Sequence, residues 1–347
     1  MKRYWVILLL PLLCVACERG RNYFPKHVDK VEIQIVRFDS ALLALQDLST
    51  PLNTEVADLY SAYGEFMPFY VENIMGINAA DTSEVAATLP MFLNDTVYGF
   101  QETNRSVRRI YANMSDVESQ LGNAFGRLRY LYPDCEVPEI TCLVSGFNAS
   151  LFFWEPLNIE VFRDEELRIG VSLDMYLGKD YPLYNKVVWN YQKQTMDKKF
   201  IAGDVVSACL FRMIPFNSSK SRLLENMLYR GKVMYLMSVL MPKEKPWDVM
   251  GYTKEQWQWL EHNERAIWQL MIDRHDIFKT ENTVLTSYLN DGPYTAEVSQ
   301  EAPPRLGTWI GWRIAQSYME HNREVSLQQL MSEPDAQKIM EQSFYRP

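Results

Sequence analysis

The chain has 347 residues, 47% hydrophobic and 13% aromatic, with 35 Lys+Arg against 44 Asp+Glu and a formal charge of −9. That acidic balance argues against a nucleic-acid partner, whose binding depends on clustered cations, and gives no support for electrostatic adhesion to anionic headgroups. The apolar content is ample for a large core, so disorder is not the expectation.

The first element is MKRYWVILLLPLLCVAC, Met1 to Cys17. Lys2 and Arg3 give a positive start, Tyr4 to Leu13 a short apolar run, and Ala16 a small residue directly before a cysteine. This is the order of a bacterial lipoprotein signal peptide. Diacylglyceryl transfer needs a thiol nucleophile, and the signal peptidase needs a small side chain before the cut. Cys14 stands three before the cut, where leucine is usual. A plain secretory signal and an uncleaved anchor are the alternatives, and the apolar run is shorter than the ~20 residues of a comfortable span. The expected division is a signal peptide over 1–16, a tether lipidated at Cys17 over 17–30, and a single helical α+β domain over 31–347. No Gly/Ser-rich, Pro-rich or repeated stretch divides that domain.

Beyond the tether the pattern is mostly helical. Phe38-Asp39-Ser40 precedes ALLALQDL, a capping residue before an apolar run. Val56, Leu59, Tyr63, Phe66, Met67, Tyr70 and Ile74 recur at helical spacing and predict one helix across Glu55 to Met75. Ser115-Asp116-Val117-Glu118 reads as a capping box opening a helix towards Leu131. Thr253 to Gln256 is a second such box, opening a segment through Trp257, Leu260, Ile267, Trp268 and Met271. Segments 223–240 and 306–321 also read as helices. The middle differs: Val137–Phe147 and Leu167–Leu173 are short β-prone runs, with Asn158–Phe162 a third candidate. The expected fold is therefore α+β, predominantly helical, with a small central β-sheet.

Candidate chemistry is sparse. Cys135 and Cys142 are close enough in sequence to pair if the chain turns between them; three buried thiols, Cys209 included, is the plainer reading. No CxxC or Cys/His cluster points to structural zinc. Of the histidines His27, His262, His275 and His321, the middle two lie thirteen apart on one predicted helix, rotated by about 220°. His262-Asn263-Glu264 has the H-x-E of a deaminase without its P-C-x-x-C. H-E-x-x-H, G-x-S-x-G, Walker and Rossmann patterns are absent from the sequence. Gly307 and Gly311, beside Arg305 and Arg313, predict close helix packing in water rather than in lipid. Trp257, Trp259, Trp268, Trp309 and Trp312 predict a core stripe, with an aromatic groove for sugar or peptide as the alternative. Asp174, after a predicted strand, reads as a turn or cap residue.

A more specific signal comes from blocks spread along the chain. They are FDSALLAL (38–45), FMPFYVENIMGI (66–77), FLNDTVY (92–98), AFGRLRYLYP (124–133), VSLDMYLGKDYPLY (171–184), LLENMLYRGKVMYL (223–236), WQWLEHNERAIW (257–268), RLGTWIGWRIAQSYM (305–319) and the terminal SFYRP. Together with Cys17 they resemble the GldB family of gliding-motility-associated lipoproteins of Bacteroidetes. That family is in turn similar to predicted zinc peptidases, in which a strand and an Asp-containing turn lead to an H-E-x-x-H helix and a later helix supplies a glutamate. The resemblance implies a zincin-like peptidase scaffold lacking the metal motif. It sets VSLDMYLG at the strand and turn and places the two histidine positions at Gly203 and Ser207. The general-base position falls on Asp204, and the third-ligand position on Arg230. Gly203 has no donor atom, Ser207 only a hydroxyl, and Arg230 is permanently cationic. No catalytic residue, metal or cofactor is therefore expected.

The functional expectation is a non-catalytic, membrane-anchored envelope lipoprotein, gliding-motility-associated and working through protein–protein contact with other cell-envelope proteins. One alternative is a zincin-type peptidase with an unrecognised metal site using Asp174, Asp204, Glu225 and His262. Another is a periplasmic glycan- or peptide-binding lipoprotein. Glu18-Arg19-Gly20-Arg21 after Cys17 is not an acidic run, which favours a position facing the periplasm over surface export.

Overall fold

The β-prone runs are few and short, and so is the sheet they build. The structure, a computed structural model, describes residues 21–48, 52–154, 167–219 and 221–347. Its strands are β1 (Ile35–Val36), β2 (Glu139–Leu143), β3 (Leu151–Phe153) and β4 (Arg168–Ser172), ordered β1-β2-β4-β3. β2 is parallel to β1 and β4, and β3 runs antiparallel to β4. In β2 and β4 all residues but the first are buried, which fits parallel strands covered on both faces. Phe152 pairs with Gly170, and a Cβ at Gly170 would sit 2.4 Å from the Phe152 ring. The glycine makes room for that ring. Asn158–Phe162 lies outside the described residues.

Helices surround the sheet. Before β2 come α1 (Phe38–Ala44), α2 (Asn53–Tyr63), α3 (Phe66–Tyr70), α4 (Thr82–Asn94), α5 (Phe100–Ile110) and α6 (Ser115–Leu131). After β4 come α7 (Tyr184–Val187), α8 (Ile201–Met213), α9 (Leu223–Leu240), α10 (Pro246–Val249), α11 (Lys254–Asp273), α12 (Asn282–Leu289), α13 (Leu306–His321), α14 (Leu327–Ser332) and α15 (Ala336–Ser343). The architecture is predominantly helical α+β, as expected. The helices expected over 223–240 and 306–321 are α9 and α13. The Thr253 box forms as read: the Gln256 N–H donates to Thr253 Oγ1 at 3.1 Å, and the Thr253 N–H donates to Gln256 Oε1 at 3.0 Å.

Four local expectations need correction. The helix expected across Glu55–Met75 breaks at Gly64, whose φ of 44° a side chain disfavours. It resumes as α3, with Pro68 in the first turn where its missing N–H costs nothing, and relaxes into a π-turn over Val71–Met75. The Ser115 box does not form, because Ser115 is already helical and its N–H is taken by Asn113 Oδ1 at 2.7 Å. The first helix begins at Phe38, before Ser40. Lastly, α11 ends at Asp273, and His275, at φ 55°, lies beyond it. Cys135, Cys142 and Cys209 are all free thiols.

The core is built around α9 and α13. Gly231 of α9 meets Gly311 of α13 backbone to backbone, so these glycines let the two helices pack closely. Trp257, Trp309 and Trp312 are buried beside this contact, with Trp257 edge-on to both others. Trp259 and Trp268 are partly buried against the same core.

Candidate functional site

β4 delivers the chain into a tight turn over Leu173–Met175. Asp174 in this turn is buried and accepts hydrogen bonds from the Ser145 N–H at 3.0 Å and the Phe147 N–H at 2.7 Å. Burial pushes its carboxyl up, and these backbone donors pull it back. It is a turn-capping residue that ties β4 to the loop after β2. Its own carbonyl accepts from the Tyr184 hydroxyl at 2.7 Å, fixing the segment that follows.

That segment, residues 176–200, wraps over one face of α8 and encloses a cavity of about 370 Å³. α8 contributes Gly203, Asp204 and Ser207, positions i, i+1 and i+4, which share one side of a helix. α9 adds Met234 and Met237, and Met241 follows at its C-terminal end. Asp248 and the turn after α10 form another wall, with Asp291 and Arg305 completing it.

Asp204 is the chemically distinctive group. The Tyr176 hydroxyl donates to its Oδ2 at 2.8 Å. Its Oδ1 has no hydrogen-bond partner among the described residues. Burial pushes the carboxyl up to about 6; the Tyr176 hydrogen bond and the Arg305 charge oppose the rise, and Asp291 adds to it. The two cations of the wall are already matched. Arg305 Nε lies 2.7 Å from Asp291 Oδ1, and its Nη2 donates to the Gly251 carbonyl at 2.9 Å. Its guanidinium sits over the Tyr252 ring, 5.1 Å from the centroid. Arg305 itself, just before α13, sits at φ 57°, a left-handed conformation uncommon outside glycine. Lys199 Nζ is 2.6 Å from Asp248 Oδ1.

Of the positions singled out by the resemblance, the fold brings Gly203, Asp204 and Ser207 together in one cavity. Arg230 stays outside the wall. Its Nη1 donates to the Leu289 carbonyl at 2.7 Å, and the charges of Arg305 and Asp291 lie near enough to act on it. Burial and the neighbouring Arg305 lower its pKa. The alternative set Asp174, Asp204, Glu225 and His262 does not assemble, since only Asp204 lines the cavity. Glu225 caps its own helix, accepting from the Arg222 N–H at 2.7 Å. Among the described residues no three His, Cys, Asp or Glu side chains are placed to hold a metal ion. Cys17 lies outside the described residues.

Tyr176, Arg305, Asp291 and the methionines of α9 escaped the sequence reading. A local signal existed for the last: Met234, Met237 and Met241 stand at i, i+3 and i+7, one helical face. Gly203 offers a simple check of the site's openness. A Cβ there meets nothing within 4 Å, so Gly203→Ala should stabilise the protein by about 0.5 kcal/mol through helix propensity and a less flexible unfolded chain. Urea unfolding with a lowered midpoint would contradict the open geometry.

Fold and site together define a helical α+β protein with a polar, methionine-walled cavity and no histidine pair on the helix beneath it. The chain matches the family model described as gliding motility protein GldB over residues 22–347, and it belongs to that family. It is thus a gliding-motility-associated protein, and the lipoprotein label of the family model agrees with lipid attachment at the cell envelope. No curated protein and no solved structure matches the chain. Among the described residues no helix is long and apolar enough to cross a membrane.

Proposed function

We propose that this protein is a non-catalytic lipoprotein, held at the membrane through Cys17 and facing the periplasm, that works by contact with other envelope proteins. On this reading its body is a peptidase scaffold that has lost its metal. The observation carrying it is the pairing of Gly203 and Ser207 across one helical turn, both lining the cavity, with Asp204 between them. Two imidazoles at that spacing would grip zinc. A hydrogen atom and a hydroxyl do not, and a lone carboxylate does not activate water as a bound ion does. The chain order fits too: β4, the Asp174 turn, α8 and then α9 follow the sequence of parts implied by the peptidase resemblance.

Three measurements test this. Inductively coupled plasma mass spectrometry on protein purified without chelator should find zinc well below one equivalent; stoichiometric zinc together with chelator-sensitive peptide cleavage would overturn the reading. Affinity capture with the full lipidated chain should recover specific envelope proteins, and a Cys17→Ala chain should lose membrane association. Recovery of lipid alone would count against a protein-contact role.

A further inference from the structure

The cavity has a composition that selects among ligands. Its wall carries four carboxylates, Asp204, Glu244, Asp248 and Asp291, and two cations, Lys199 and Arg305. The cations are matched by Asp248 and Asp291. Asp204 and Glu244 remain without an ion-pair partner among the described residues, so the site is net negative. Asp204 is deep, and its Oδ1 meets the cavity with nothing to accept from. Oδ1 therefore has lone pairs open to a ligand donor, and a charge-assisted hydrogen bond to a carboxylate is among the stronger ones.

The remaining surface is apolar but adaptable. Met234, Met237 and Met241 line one side, and thioether side chains mould to a flexible alkyl stem. At about 370 Å³ the volume sits at the small end of ligand pockets and accommodates one long side chain. The carboxylates do not converge as a metal cage among the described residues, which separates an organic cation from a metal ion. At the rim, Val188, Tyr191 and Gln192 line the cavity while Trp189 between them is 72% exposed. The Trp189 backbone N–H donates to Gln192 Oε1 at 2.9 Å, which ties the loop that carries the indole. Large aromatic side chains at such rims supply contact area for residues flanking an inserted group.

We propose that this cavity is the recognition pocket for a basic side chain, arginine or lysine, presented by a partner polypeptide. Its aliphatic stem lies along the methionines, its charged head reaches Asp204 Oδ1, and the flanking residues pack on Trp189. The inference rests on the protein-contact reading above and gives that contact a chemistry. An arginine head suits the site well because its several donors can satisfy both Asp204 and the Ser207 hydroxyl.

The test titrates full-length lipidated protein in detergent with N-acetyl-arginine amide and its neutral isostere N-acetyl-citrulline amide, followed by calorimetry. The arginine amide should bind with a Kd on the order of 1 mM, and the citrulline amide at least ~10-fold more weakly. Asp204→Asn should weaken arginine binding ~10-fold or more, and Gly203→Phe, which grows into open space, should block it. Binding should also weaken between pH 7.5 and 5 as Asp204 takes up its proton; Tyr176, Arg305 and Asp291 act on it directly, and Lys199, Asp248 and Glu244 share the wall. Equal binding of citrulline, undiminished binding by Asp204→Asn, or no binding of arginine amide at ~10 mM overturns the proposal. Partner capture that survives Asp204→Asn would sink the pocket assignment while leaving the protein-contact role standing.

Discussion

Gly311→Ala should lower the stability of the protein by about 3 kcal/mol or more, at the upper end for an overpacked core. The added Cβ would lie 1.9 Å from the Met227 carbonyl oxygen and 2.5 Å from its carbon. Both are backbone atoms of α9, so no rotamer change clears them. The mirror substitution meets the same obstacle, because a Cβ at Gly231 would come within 2.1 Å of the Gly311 carbonyl carbon. Relief requires the two helices to move apart, which opens the packing around buried Trp309 and Ile310. Gly307 is the internal control. Its Cβ would stand 3.1 Å from the Tyr288 oxygen and 3.2 Å from a Met227 side-chain carbon, so Gly307→Ala should cost about 1 kcal/mol. Thermal unfolding followed by circular dichroism ranks the variants. A melting temperature for Gly311→Ala equal to that of the parent would refute the close approach.

Asp204→Asn should act in the opposite direction, stabilising the protein at neutral pH. The carboxyl titrates near 6 in the folded state and near its ordinary 3.8 when unfolded. The folded protein therefore holds this proton more tightly. Between about pH 4 and 6 folding takes up a proton, so this group's contribution to stability falls as pH rises, and the full cost is present above pH 6. A shift of that size corresponds to roughly 3 kcal/mol; the carboxyl borders a cavity that water can enter, which reduces the expected gain for Asp204→Asn to about 1–2 kcal/mol at pH 7.5. Asparagine keeps an acceptor for the Tyr176 hydroxyl and does not ionise. The gain should shrink through pH 6 and 5, be small near pH 4 and vanish near pH 3, where aspartate is neutral in both states. Urea midpoints at those pH values give the curve. A gain of equal size at every pH, or a loss at pH 7.5, would show that Asp204 is not a strained charge.

The sequence alone determined what depends on neighbours along the chain. Periodicity placed α9 and α13, and the side-chain chemistry of Thr253 and Gln256 placed the start of α11, because helix capping and amphipathic spacing act within a few residues. The resemblance set Gly203, Asp204 and Ser207 on one helix, and α8 carries all three to the same cavity. Only tertiary structure decided what that helix looks onto. Tyr176 reaches Asp204 from 28 residues away, while Arg305 and Asp291 arrive from the far end of the chain. Arg230 turned aside to a carbonyl on α12 instead of joining them. β1 and β3, two and three residues long, carried too little alternation to be read and exist because a neighbouring strand supplies their hydrogen bonds. Local bonding is written in local sequence; the burial that raises a carboxyl's pKa, and the backbone contact that demands a glycine, arise only when distant segments close upon one another.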